Sequence, residues 1–104
     1  MDSRYLFPDV IFIDLGKELP YEDFASILID SAKDLGLKTK LESSEEGKIN
    51  IILKKSFNRR VSSISFYRKS HINRDPHSFS IEDCPQINDY LNLVRQKAEG
   101  YKPK

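Results

Sequence analysis

Residues 48–69, KINIILKKSFNRRVSSISFYRK, decide the fold. In the first arm Ile49, Ile51 and Leu53 alternate with Lys48, Asn50, Ile52 and Lys54, and in the second Ile64 and Phe66 alternate with Ser63, Ser65, Tyr67 and Lys69. A period of two is the period of a strand with one face buried, and it excludes a helix, whose apolar positions recur every three to four residues. The arms meet at Ser56-Phe57-Asn58-Arg59-Arg60, so the stretch reads as a long β-hairpin with its tip at residues 56–60.

On the N-terminal side, residues 10–15 (VIFIDL) form a short run of β-branched and aromatic residues. Near-continuous apolarity predicts a strand covered on both faces, central or well shielded in its sheet. Gly16 ends it. Pro20 then sits where a first helical turn accepts proline, with Glu22 and Asp23 placed to complement the helix dipole. Phe24, Ile27, Leu28, Ser31, Ala32 and Leu35 follow at helical spacing, and Gly36 supplies a left-handed terminator. Residues 37–42 alternate again, Leu37, Thr39 and Leu41 against Lys38, Lys40 and Glu42, and 43–47 (SSEEG) form a polar turn.

Beyond the hairpin, Asp75-Pro76 closes a turn, and Phe79 and Ile81 against Ser78 and Ser80 predict a short fifth strand over 77–81. Asp83 reads as an N-cap with Gln86 three residues on and Pro85 in the first turn. Ile87, Tyr90, Leu91, Val94 and Ala98 then mark a second helix ending near Gly100. The order is β-α-β-β-β-β-α, an α+β fold with an antiparallel sheet. Each helix has one apolar stripe and the middle strands have one polar face, so both helices pack on one sheet face and leave the other open. This order is similar to that of each half of the TATA-binding protein, an analogy of fold alone. Without the strand at 77–81 the order over 20–99 becomes α-β-β-β-α, that of a double-stranded-RNA-binding domain. The glycine-and-lysine signature which opens that family's last helix is missing at Asp83-Cys84-Pro85-Gln86.

With 104 residues, 38% hydrophobic and 32% charged, the chain reads as one domain over 1–104, with 1–8 and 100–104 as flexible arms. No apolar run approaches the ~20 residues of a membrane span, and no signal-peptide pattern opens the chain, so the expected place is the cytoplasm, with no membrane partner. A single cysteine, Cys84, excludes an internal disulfide.

Charge is segregated although the total is +1. Residues 1–47 carry eleven acidic and five basic residues, a balance of −6; residues 48–77 carry eight basic residues against Asp75, a balance of +7; residues 78–104 carry four of each. Such a basic centre points to an anionic partner or to a protein docking face. The candidate binding residues are Lys48, Asn50, Lys54, Phe57, Arg59, Arg60, Tyr67 and Lys69, on the open sheet face and the hairpin tip. Arginines fork onto phosphates or carboxylates, Tyr67 offers a stacking surface, and lysines on a sheet also discourage edge-to-edge aggregation.

Catalysis finds less support. His71 and His77 flank Asp75 with Cys84 beyond, but the intervals match no common zinc pattern. Cys84 near a helix start would have its thiolate favoured by the dipole. No catalytic or metal-binding set and no cofactor is expected. The expected function is a non-enzymatic binding module, an adaptor or small regulatory protein with a protein partner; the alternative is a nucleic-acid-binding domain using the basic region 48–77. A homodimer through a free sheet edge is a third arrangement.

Overall fold

A computed structural model describes residues 9–69 and 73–102. The elements are β1 (Val10–Asp14), α1 (Tyr21–Asp34), β2 (Lys38–Ser43), β3 (Lys48–Ser56), β4 (Arg59–Tyr67), β5 (Ser78–Glu82) and α2 (Ile87–Glu99). The five strands form one antiparallel sheet in the order β1-β5-β4-β3-β2. Both helices lie on the face that carries Ile49, Ile51, Leu53, Ile64, Phe66, Phe79 and Ile81, all buried, and the expected α+β architecture is the one observed.

The core follows from the two periodicities meeting. Phe24, Ile27, Leu28 and Ala32 of α1 and Tyr90, Leu91, Val94 and Ala98 of α2 are buried against the sheet. Phe24 packs its ring 4.8 Å from Phe66 and 6.0 Å from Phe79, in tilted and edge-on geometries that aromatic quadrupoles favour. The two helices are tied by the Tyr90 hydroxyl, which donates to the Leu28 carbonyl at 2.8 Å. The α1 terminus closes as the sequence predicts: Gly36 has φ +76°, its N–H donates to the Lys33 carbonyl, and the Leu37 N–H reaches back to Ala32.

Three expectations are corrected. First, β1 is an edge strand, not a central one: among the described residues it pairs with β5 alone, and its outward residues Phe12 and Val10 are 83% and 52% exposed. Second, the hairpin tip is tighter than 56–60, because Ser56 pairs with Arg59 across Phe57 and Asn58, with register shifts near Lys54. Third, Asp83 does not cap α2; its N–H continues the β1–β5 ladder to the Asp9 carbonyl, and the helix begins at Ile87 with no side-chain cap.

Of the two arms expected to be flexible, residues 1–8 and 103–104 lie outside the described residues. Tyr101 is half-buried, its hydroxyl donating to Asp23 at 2.8 Å with Lys17 Nζ 5.7 Å from its ring. No helix among the described residues is long and apolar enough to cross a membrane.

Candidate functional site

The open face of the sheet is built from the even-numbered residues of β1, β3 and β5 and the odd-numbered residues of β4. Cross-strand register places Phe12 beside Ser80, Ser80 beside Ser65, and Ser65 beside Asn50. Small hydroxyl side chains on the two central strands lower the surface there. Larger residues on either side raise it, and the result is a groove of about 840 Å³. Ser63, Ser65 and Ser80 form its floor, Val10 and Phe12 one wall, and Tyr67, Lys48 and Lys69 stand at one end.

The floor is held by hydrogen bonds. Ser65 Oγ donates to Asn50 Oδ1 at 2.7 Å, and Ser62, on the buried face, donates to the Glu82 carbonyl at 2.6 Å. At the mouth, His77 Nδ1 lies 3.3 Å from Asp14 Oδ1, which also accepts the Gly16 N–H at 2.8 Å. That backbone bond, and secondarily the histidine, hold the Asp14 carboxyl below its ordinary pKa.

Three cations on and beside this face are paired with carboxylates. Arg60 pairs with Glu82 at 2.7 Å, Lys69 with Asp75 at 2.6 Å, and Lys40 with Glu42 at 3.5 Å. Among the described residues the groove lining holds two lysines, Lys48 and Lys69, against three carboxylates, Glu46, Asp75 and Glu82. Arg74, the last cation of the basic centre, makes a two-pronged bond to Glu18 at 2.7 and 3.1 Å.

Seven of the eight candidate residues fall into two groups, and Arg60 stands apart from both. Lys48, Asn50, Tyr67 and Lys69 gather at and beside one end of the groove. Lys54, Phe57 and Arg59 lie at the far end of the hairpin, where Lys54 Nζ sits 5.9 Å from the Phe57 ring and Phe57 is 81% exposed. The eight steps of β3 from Lys48 to Ser56 span about 26 Å at a strand's rise, so the two groups stand at opposite ends of the hairpin. Arg60 is drawn toward β5 by Glu82.

The imagined His-Asp-His set does not assemble: Asp75 pairs with Lys69 while His77 faces Asp14, and His71 lies outside the described residues. Cys84 is half-buried and burial pushes its thiol pKa up, opposite to the dipole effect expected at a helix start. No group of histidine, cysteine and carboxylate side chains suited to a metal ion occurs among the described residues.

Val10, Phe12, Ser78, Ser80, Glu82 and His77 line the groove and were outside the sequence-predicted set. One signal pointed to Val10 and Phe12. Asp14 shares the parity of Val10 and Phe12, and a carboxylate at one end of a strand face marks that face as reaching water.

No family model, no curated protein and no solved structure matches the chain.

Proposed function

We propose that this protein is a non-enzymatic binding module that holds a segment of a protein partner in the serine-floored groove of its open sheet face. The observation that carries the reading is the pairing of exposed apolar side chains, Phe12, Val10 and Tyr67, with a hydroxyl floor and cations paired with carboxylates. Aromatic rims supply buried area on docking, and serines supply hydrogen bonds that adapt to a backbone. A phosphate backbone would instead seek cations free of carboxylates. Here Arg60, Lys69 and Arg74 of the basic centre are each held by an acid, two of them by residues from outside it. This weighs against the nucleic-acid alternative.

The test is quantitative capture from extract of the native source, with the wild-type chain, Tyr67→Ala, Lys48→Glu, and a Lys54→Glu/Arg59→Glu double variant as baits. The expected result is a stoichiometric protein partner that survives moderate salt, is lost with the first two variants and is kept by the double variant. Retention by Tyr67→Ala and Lys48→Glu together would remove the groove from the reading. Tight, steeply salt-dependent binding to single- or double-stranded oligonucleotides would replace it with the alternative.

A further inference from the structure

The β1 edge directs a row of backbone donors and acceptors away from β5. Two bonds bracket the β1–β5 ladder: the Leu15 N–H donates to the His77 carbonyl, and the Asp83 N–H to the Asp9 carbonyl, each at 2.8 Å. In an antiparallel ladder the hydrogen-bonded pairs alternate, so the odd-numbered residues 9, 11, 13 and 15 turn their N–H and C=O groups toward β5. Val10, Phe12 and Asp14 therefore direct theirs outward, off the edge of the sheet. The same three residues place their side chains on the open face, with Phe12 83% and Val10 52% exposed.

The two edges of the sheet are built differently. At the far edge, β2 presents Lys38, Lys40 and Glu42, with an ion pair between the last two, the charge that sheets use to repel an incoming strand. At the near edge, β1 reads Val-Ile-Phe-Ile-Asp with no lysine, arginine or proline. The strand is also complementary to itself. An antiparallel copy centred on Phe12 sets Phe12 against Phe12, Val10 against Asp14, and Ile11 against Ile13. All three outward-pointing residues of each strand exchange hydrogen bonds in this register. No like charges meet, whereas a register centred on Asp14 would oppose two carboxylates.

We propose that a second copy of this chain pairs with β1 across a two-fold axis at Phe12, making one continuous ten-stranded sheet whose two grooves lie side by side on the same face. The two Phe12 rings sit in adjacent positions at its centre, and the wall of each groove becomes a ridge shared by both. A strand of five residues buries less than the ~1,000 Å² of a stable interface, so the dimer is weak and reversible.

Sedimentation velocity of the full chain over a concentration series, with amide hydrogen exchange at both ends of the series, tests this. The expected result is reversible dimerisation, an approximately tenfold or greater weakening by Phe12→Lys, which opposes two ammonium groups across the axis, and no change with Leu41→Lys on the β2 edge. Phe12 is too exposed for that change to unfold the domain, and in the unaltered protein the Phe12 amide should exchange more slowly as concentration rises. A monomer at all concentrations up to about 1 mM, where even weak complexes form, would overturn the proposal. So would a dimer indifferent to Phe12→Lys or equally sensitive to Leu41→Lys. Protection of the Phe12 amide that does not depend on concentration would overturn it too, because the edge would then be covered from within the chain.

Discussion

Tyr90→Phe removes one oxygen from the contact that joins the two helices, and its cost should change sign with pH. The ring is 1% exposed and its hydroxyl donates to the Leu28 carbonyl at 2.8 Å. That carbonyl sits inside α1 and keeps its helical partner, so the change strands no bare acceptor. The loss at neutral pH is that of one neutral hydrogen bond, about 1 kcal/mol, read as a drop of ~4–8 °C in Tm for a domain of this length. Burial, with a smaller contribution from Cys84, pushes the Tyr90 phenol far above its ordinary value, so the folded protein keeps that proton in alkali. The unfolded chain releases it near pH 10 and then holds fewer protons than the folded one, so wild-type stability falls with rising pH through this group, by about 1.4 kcal/mol per unit above pH 10. Tyr90→Phe has no such proton. The wild type should be the more stable protein at pH 7, the two should match near pH ~10.7, and the variant should lead at pH 11. Urea denaturation followed by far-ultraviolet circular dichroism at pH 7, 9, 10 and 11 measures the difference, in which every other titrating group cancels. A difference that stays constant from pH 7 to 11 would refute the account of Tyr90 as a proton held by burial.

Gly47 turns between β2 and β3 at φ +83° with open space where a side chain would point, so Gly47→Ala should cost about 1 kcal/mol from backbone strain alone. Gly47→Asn should cost less, since asparagine tolerates the left-handed region, and thermal melts of the two variants give the comparison. Phe24→Ala should destabilise by ~3–5 kcal/mol because its ring is buried between Phe66 and Phe79, whereas Phe57→Ala at the hairpin tip should fall within about 0.5 kcal/mol of wild type. Equal losses for the two phenylalanines in denaturant melts would contradict the placement of the core.

The elements were legible in the sequence because each is specified locally. Alternation at Ile49, Ile51 and Leu53 and helical spacing at Phe24, Ile27 and Leu28 each reflect one buried face, and all six side chains are buried in one core. What was not legible depends on distant partners. The run at 10–15 looked shielded because apolar content records affinity for cover and not whether cover arrives; the position of β1 at the edge is settled by its pairing with β5, more than sixty residues away. Charge misled in the same way. The basic centre at 48–77 is a fact of chain order, but Glu18 and Glu82 come to Arg74 and Arg60 from outside it, so linear segregation overstates the positive charge those two arginines leave at the surface. The site was half visible. Tyr67, Lys48 and Lys69 followed from strand parity, while Phe12 and the β5 serines required knowing which strands are neighbours.

The pairing of β1 with β5 also sets an order of events during synthesis. Val10 meets Glu82 and Asp14 meets Ser78, contacts separated by 72 and 64 residues (82 − 10 and 78 − 14), whereas β3 and β4 close a hairpin across only Phe57 and Asn58. Short loops close first and long ones follow, so β3 and β4 can form while β1 has nothing to bind. At about 5–20 residues per second on a ribosome, the stretch VIFID waits roughly 3–14 s for β5 to emerge. The most apolar of these five strands is thus the first of the five to be made and the last to be paired, and the nascent chain presents to the cell a bare strand that the finished protein keeps at its edge.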